Sequence, residues 1–313
     1  MKPVRVAVVG VGHVGALHAK TYAQLPQAAQ LVAVCDTNAA RAEEVATAVG
    51  CPAVTDFRKL IGQVEAVSLA VPTSLHHALG LALLQAGLHV LIEKPIATSL
   101  TEADELLEAA HRNNLILQVG HLERFNAAIK SAAAYLTHPR FLEVHRLSPY
   151  PFRGTDVSVV LDVMIHDLDV VLALVGKTPT SVEAVGIAVL SASEDIANAR
   201  LVFPSGCVAN LTASRISDET LRRLRVFQED CYLSIDYKQQ AVELARKVGL
   251  KIERQQLPVT PRPPLEEQLE SFAQSVRSNS HPLVSGREAR EALALALRIE
   301  DAMRRTPLAA ARR

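Results

Sequence analysis

The sequence predicts an α/β protein in two parts, a doubly wound parallel sheet followed by a domain on an antiparallel sheet. Three observations carry this. Up to about residue 120, short apolar runs alternate with helix-patterned stretches, as strands covered by helices on both faces should. From residue 180 to about 251, strand-like runs follow one another across turn signals with no helix between them, which implies antiparallel pairing. A chain of 313 residues also usually makes two domains. The expected boundaries are 1–120 and 121–313, with the last helix, about 286–304, a candidate to pack back on the first domain.

Val4–Val9 reads as the first buried strand, and it runs into Gly10-Val11-Gly12-His13-Val14-Gly15. The pattern becomes helical from Val14. A second strand, 31–35, ends in Asp36, about 20 residues past the last glycine, as a dinucleotide-binding turn requires. Gly10 makes the tight turn, Gly12 admits a pyrophosphate to the backbone, and Gly15 allows close helix–strand packing. The helix start at His13 and Val14 offers unpaired N–H groups and a positive dipole end. Asp36 would accept from a ribose 2′-hydroxyl and repel a 2′-phosphate, so NAD is expected and NADP is less so.

Further strands are expected at 64–71, 88–92 and 115–119, with helices from near His76 and over 101–112. Ligands of such sheets lie beyond the carboxyl ends of the strands. That edge gathers Val71, Pro72, Thr73, His76, Glu93, Lys94 and Pro95 as further candidate cofactor contacts, with Gly120-His121 beside them. The proline after Lys94 disfavours the α region for it, so the lysine is held extended at the lip of the crevice. A cation there could steady negative charge developing on a substrate oxygen.

In the second half, 123–136 reads as an amphipathic helix and Phe141–Leu147 as a strand. A loop through Arg153 and Asp156 leads into Val159-Val160-Leu161-Asp162-Val163-Met164-Ile165-His166-Asp167-Leu168-Asp169. At helical spacing Asp162, His166 and Asp169 share one face of a helix that is otherwise apolar nearly all round. A carboxylate and an imidazole buried without partners are costly, so this face must be paired or must line a cavity. Asp156 or Ser158 would cap the helix. Strands follow at 181–190, 196–203, 207–214, 221–228 and 231–235, then an extended connector and helices at 265–278 and 286–304. His121, Arg124, Arg146 and Arg153 are candidates for holding the substrate, since a guanidinium pairs bidentately with phosphate oxygens.

Composition narrows the classes. Lys plus Arg equals Asp plus Glu at 33 each, so no global charge points to nucleic acid or an anionic membrane. No apolar run is long enough to span a bilayer. The four cysteines, Cys35, Cys51, Cys207 and Cys231, show neither metal-ligand nor disulfide spacing, so no metal is expected and a cytoplasmic setting is the default.

Taken together, Gly10-x-Gly12-x-x-Gly15, Glu93-Lys94-Pro95, Gly120-His121-x-x-Arg124-Phe125 and Asp162-x-x-x-His166-x-x-Asp169 resemble the Gfo/Idh/MocA family of nicotinamide-dependent sugar and cyclitol dehydrogenases over essentially the whole chain. The resemblance implies a Rossmann domain, then an α/β domain on a large, mainly antiparallel sheet, in a homo-oligomer such as a dimer or tetramer. It also implies Lys94, Asp162 and His166 as the catalytic group, with Asp162 and His166 touching the substrate. Many members carry Gly-Gly shortly before the aspartate where this chain has Val157-Ser158, which alters the pocket wall. His121-Leu-Glu-Arg124-Phe125-Asn126 and the Arg153–Val157 stretch resemble a narrower branch that oxidises the 3-hydroxyl of UDP-N-acetylglucosamine on the way to lipid A. The alternatives are a dehydrogenase of a free sugar or inositol, a reductase of the same fold, and a non-catalytic dinucleotide sensor. The wager behind the first reading is that Lys94 and His166 serve one bound hydride carrier.

Overall fold

The computed structural model describes residues 2–150 and 157–305. It divides into two compact units: the chain up to Leu122 together with Pro263–Arg290, and Glu123–Arg262 together with the chain from Glu291 on.

The first unit holds a six-stranded parallel sheet in the order β3-β2-β1-β4-β5-β6. Its strands are β1 (Val4–Val9), β2 (Ala29–Cys35), β3 (Ala53–Val54), β4 (Ala66–Leu69), β5 (His89–Ile92) and β6 (Leu117–Val119). The order reverses between β1 and β4, and the carboxyl edge of such a reversal is where α/β sheets bind ligands. Helices α1 (His13–Ala23), α2 (Ala39–Val49), α3 (His76–Gln85) and α4 (Leu100–Arg112) connect the strands. Val6, Ala7 and Val8 of β1 are fully buried, which is why that strand is a continuous apolar run and not an alternating one.

One segment departs from the expected division. Helix α7 (Pro264–Ser278) belongs to the first unit, where its Leu269, Phe272 and Ala273 join a core with Ala19 and Tyr22 of α1. Its apolar residues at i, i+3 and i+4 make one stripe, and that stripe needs a partner face. The last helix, α8 (Gly286–Arg305), divides. Ser285 caps it reciprocally with Glu288, as a capping box should. Only residues to Arg290 count with the first unit, while Ala292, Leu295, Ala296, Ile299 and Met303 enter the core of the second.

The second unit is built on an eight-stranded sheet, in the order β14-β13-β12-β11-β7-β10-β9-β8. These are β7 (Phe141–Leu147), β8 (Ser181–Ile187), β9 (Ile196–Val202), β10 (Val208–Ser214), β11 (Leu221–Phe227), β12 (Cys231–Asp236), β13 (Ala241–Val248) and β14 (Lys251–Gln256). All neighbours are antiparallel except β7 and β10, which are parallel. The last two strands go beyond the sequence pattern: the charged run 246–254 hides the alternation, and β14 is exposed throughout. Val144, Ala199, Leu211, Leu224 and Leu233 point to one face, where Val160, Ile165, Leu168 and Val171 pack into the same core. On the other face Phe141, Phe227 and Tyr232 pack as tilted rings, with centroids 5.5 and 4.8 Å apart. Arg225 pairs there with Glu143 at 2.8 Å.

The expected helix over 123–136 is shorter than its pattern. A turn of 3₁₀ helix at Leu122–Phe125 precedes α5 (Ala127–Ala133), because Asn126 stops the one and caps the other through its side-chain oxygen on the Ala128 N–H at 3.0 Å.

Candidate active site

At the carboxyl edge of the parallel sheet, the three glycines have three different environments. Gly10 has φ of +83°, and a Cβ there would lie 2.6 Å from the Ala70 carbonyl oxygen. A Cβ on Gly15 would lie 1.8 Å from the Gly10 oxygen. Gly12 has nothing within 4 Å of that position, so its backbone is open to an incoming group. Gly12 also starts α1 without a side-chain cap, and His13 and Val14 of the first turn are exposed. The first N–H groups of this helix therefore face the cleft unclaimed by a cap, as a diphosphate requires.

The cleft beyond them has a volume of about 860 Å³, and Asp36, Val71, Pro72, Glu93 and Lys94 are among its walls. Asp36 accepts from the Val11 N–H at 3.0 Å and the Asn38 N–H at 2.9 Å, and Arg41 stands 3.5 Å away. A nicotinamide dinucleotide fits this set: a glycine whose missing side chain leaves room, a helix start for phosphates, and a carboxylate for the ribose.

Lys94 is half-buried in the cleft wall, and its peptide bond to Pro95 is cis. Thr73 opens a short 3₁₀ turn, Thr73–Leu75, at the β4 end. His76, expected as a cofactor contact, is only 1% exposed. Its Nδ1 lies 2.8 Å from the Pro95 carbonyl and its Nε2 2.9 Å from the Val71 carbonyl. Burial pushes its pKa down, against the pull of these carbonyls and of Glu93. The ring ties two wall segments together and does not face the cleft.

Sequence reasoning passed over His18. It sits on the buried side of α1, 2.7 Å from Ser68 Oγ through Nδ1 and 3.2 Å from Glu93 Oε1 through Nε2. The available signal was a pair of polar residues, His18 and Ser68, in otherwise apolar or small stretches.

In the second unit, the stretch around Asp162 is not one regular α-helix. Val160–Met164 is a π-helical turn, in which the Ile165 N–H reaches back five residues to the Val160 carbonyl, and α6 (Ile165–Val175) follows. The expected i, i+4, i+7 face assumed a uniform α-helix. The wider turn shifts Asp162 off that register, a distortion frequent at functional sites. Asp162 and His166 are half-exposed, whereas Asp169 is buried.

The turn is held at its start. Arg215 donates to the Val157 carbonyl at 2.9 Å and to Asp195 Oδ1 at 2.9 Å, and the Val159 N–H donates to the Glu194 carbonyl at 2.9 Å. Ser158 donates to Glu300, and its oxygen lies 3.5 Å from the Leu161 N–H, a long capping contact. Ser158 thus anchors the start of the turn.

The candidate substrate arginines fare differently. Arg146 is buried and makes a bidentate pair with Asp167 at 2.7 and 2.8 Å and a third bond to Glu123 at 2.9 Å. Burial alone would lower its pKa, but these two carboxylates outweigh it and hold the guanidinium charged. Its donors are committed inside the fold, so it is not a substrate anchor. Arg124 lies 3.5 Å from Asp169, and His121 is buried. Arg153 lies outside the described residues. Among the described residues no cluster of metal-ligating side chains occurs, and no helix is long and apolar enough to cross a membrane.

Comparison with known proteins places these features. Residues 4–121 match the model of an oxidoreductase family with an NAD-binding Rossmann fold, and residues 130–233 match the GFO/IDH/MocA C-terminal domain. A UDP-N-acetylglucosamine 3-dehydrogenase from Acidithiobacillus ferrooxidans is 37% identical over 96% of this chain and 97% of its own. A crystal structure of the enzyme of that name and organism superposes with a TM-score of 0.92, over 96% of this chain and 98% of the other. A myo-inositol 2-dehydrogenase from Thermotoga maritima is 26% identical over 93% of both chains.

Proposed function

Because the chain belongs to the Gfo/Idh/MocA family of NAD-binding oxidoreductases, we propose that it oxidises the 3-hydroxyl of UDP-N-acetylglucosamine to a ketone, with Lys94, Asp162 and His166 as its catalytic group. The observation that carries this substrate is the 37% identity to the Acidithiobacillus enzyme, sustained through nearly all of both chains. Inositol dehydrogenases match at lower identity or over a smaller share, and a free cyclitol is the second reading.

NAD would supply the acceptor for the hydride of the sugar carbon. Gly12 and the start of α1 would hold its diphosphate, with Gly10 and Gly15 shaping the turn beneath, and Asp36 would hold its adenosine ribose. His166 accepts the hydroxyl proton, a task suited to imidazole because the residue type titrates near neutral pH. Asp162, on the neighbouring π turn, orients the imidazole or a second hydroxyl. Lys94 steadies the oxygen as negative charge develops on it. Arg124 and Arg153 are the remaining candidates for the anionic part of the substrate, since Arg146 is committed elsewhere. The 3-ketone is the chemical precursor an aminotransferase needs to install an amine, which fits a place on the way to lipid A.

The half-exposed face bearing Phe141, Phe227 and Tyr232 supports a homo-oligomer formed through the eight-stranded sheet. The four free cysteines suit a reducing cytoplasm.

The test is NADH formation by the purified protein with UDP-N-acetylglucosamine, set beside myo-inositol and glucose. The nucleotide sugar is expected to be preferred, and preference for inositol overturns the reading. His166→Asn should lose about 10²- to 10⁴-fold in turnover while NAD affinity stays near that of the wild type.

A further inference from the structure

We propose that His18 is a positioning residue for Lys94, acting through the carboxylate of Glu93. The inference rests on the reading of Lys94 as catalytic.

His18 is 1% exposed and Ser68 fully buried, and the two lie 2.7 Å apart through His18 Nδ1 and Ser68 Oγ. On the other side of the ring, Nε2 lies 3.2 Å from Glu93 Oε1. A carboxylate only accepts, so the Nε2 facing it carries a proton, at ion-pair distance but outside hydrogen-bond geometry. Nδ1 shares a hydrogen bond with the Ser68 hydroxyl, so the one ring ties β4 to the Glu93 carboxylate.

Glu93 is held from two further sides. A Cβ on Gly120 would lie 2.5 Å from Glu93 Oε1, so the carboxylate rests against bare backbone and a larger residue there would have to displace it. Its Oε2 lies 3.4 Å from the Lys94 N–H. Burial would raise the pKa of Glu93, but His18 and Lys94 outweigh it, and the carboxyl titrates below its ordinary range. The group is therefore an anion clamped between α1 and β6, with the lysine's main chain at its edge.

Ser68, His18 and Glu93 are the residue types of a hydrolytic triad. Here the serine is sealed on β4 and cannot reach a substrate, so the constellation orients a neighbour instead of attacking. The neighbour it reaches is the Glu93-Lys94-Pro95 turn in the wall of the cofactor cleft.

Two substitutions separate positioning from packing. His18→Gln keeps an N–H for Glu93 and an oxygen for Ser68, whereas His18→Leu fills space and offers neither. Three quantities are measured on each full-length variant: kcat and KM with the nucleotide sugar, NADH affinity by fluorescence titration, and hydrogen exchange at the Lys94 amide. For His18→Leu the expected result is a kcat lowered about 10- to 100-fold with NADH affinity within roughly threefold of wild type, and faster Lys94 exchange. His18→Gln should restore both kcat and protection. Unchanged kcat and exchange in His18→Leu would overturn the proposal. So would a joint fall of NADH affinity, kcat and melting temperature that His18→Gln does not repair. Should the wild type turn over no sugar, the functional reading fails separately, and the exchange and NADH measurements still decide the role of His18.

Discussion

At Asp36 the carboxylate already accepts two backbone N–H groups, and Arg41 is 3.5 Å away, so its orientation is set before any dinucleotide arrives. Removing it should act on two cofactors in opposite senses. Asp36→Ala loses charge-assisted bonds to a ribose hydroxyl, each worth about 1.5–3 kcal/mol, so KM for NAD should rise roughly 10- to 100-fold. The same change removes the repulsion of a 2′-phosphate and leaves Arg41 nearby, so KM for NADP should fall. Steady-state kinetics with both cofactors checks this, and parallel changes would count against the assignment. Asp36 and the glycines were legible in the sequence because their spacing follows from one turn of backbone. His76 and His18 were not, because sequence spacing gives a side chain's place along the chain and not the direction of its ring. Spacing places His76 at the cofactor edge, yet its ring spans the carbonyls of Val71 and Pro95. His18 lies on a helix face whose other buried members are Gly15, Ala19 and Tyr22, and its partners, Ser68 on β4 and Glu93 just past β5, lie far along the chain.

Among the elements, the π turn at Val160–Met164 was the least legible, although its residues were singled out. Helical periodicity assumes a constant pitch, and an apolar stretch this dense fits α and π registers alike. What secures the turn lies elsewhere in the chain: Asp195 accepts from the Val189, Leu190 and Ser191 N–H groups and from Arg215, which in turn holds Val157. Arg215 and Asp195 are both essentially buried, with side-chain exposures of 1% and 0%. Removing one charge leaves the other stranded, so Asp195→Asn should cost about 3–5 kcal/mol in urea unfolding. The pH dependence follows from the same site. Burial would raise the carboxyl's pKa, but the hydrogen bonds from Ser191 and its neighbours outweigh it and hold it well below the ordinary carboxylate range. A depressed native pKa contributes stability above the unfolded value, about 3.9, and loses it as pH falls through the native value. The stability gap between wild type and Asp195→Asn should therefore be flat from neutrality down to about pH 4 and narrow only in stronger acid. A gap that closed already near pH 6 would assign the stabilisation to another group.

For the whole molecule, the question is which residues each unit needs in order to fold. The sequence made five of the six parallel strands plain through residue 119, missing the two-residue β3, and a boundary at 120 followed from the end of the alternation. Helix α7 could not be assigned that way, because an amphipathic stripe declares that it needs a partner without naming one. In the structure its Leu269 and Phe272 are fully buried in the core shared with Ala19 and Tyr22. The chain also adds the Val119 N–H bond to the Val284 carbonyl, at 3.1 Å, along β6. Deleting a buried phenylalanine side chain alone costs about 3–5 kcal/mol, a large part of the stability of any domain. A fragment ending at Leu122 lacks the entire helix and exposes the apolar side of α1 that it covers. That fragment should therefore be unfolded or aggregated, with no cooperative thermal transition and no NADH fluorescence enhancement. The same residues joined through a short flexible linker to Pro263–Arg290 should recover both. A fragment of residues 1–122 that melted cooperatively and bound NADH without the added segment would show that the nucleotide-binding unit is complete before the chain returns, and that α7 is an accessory to it.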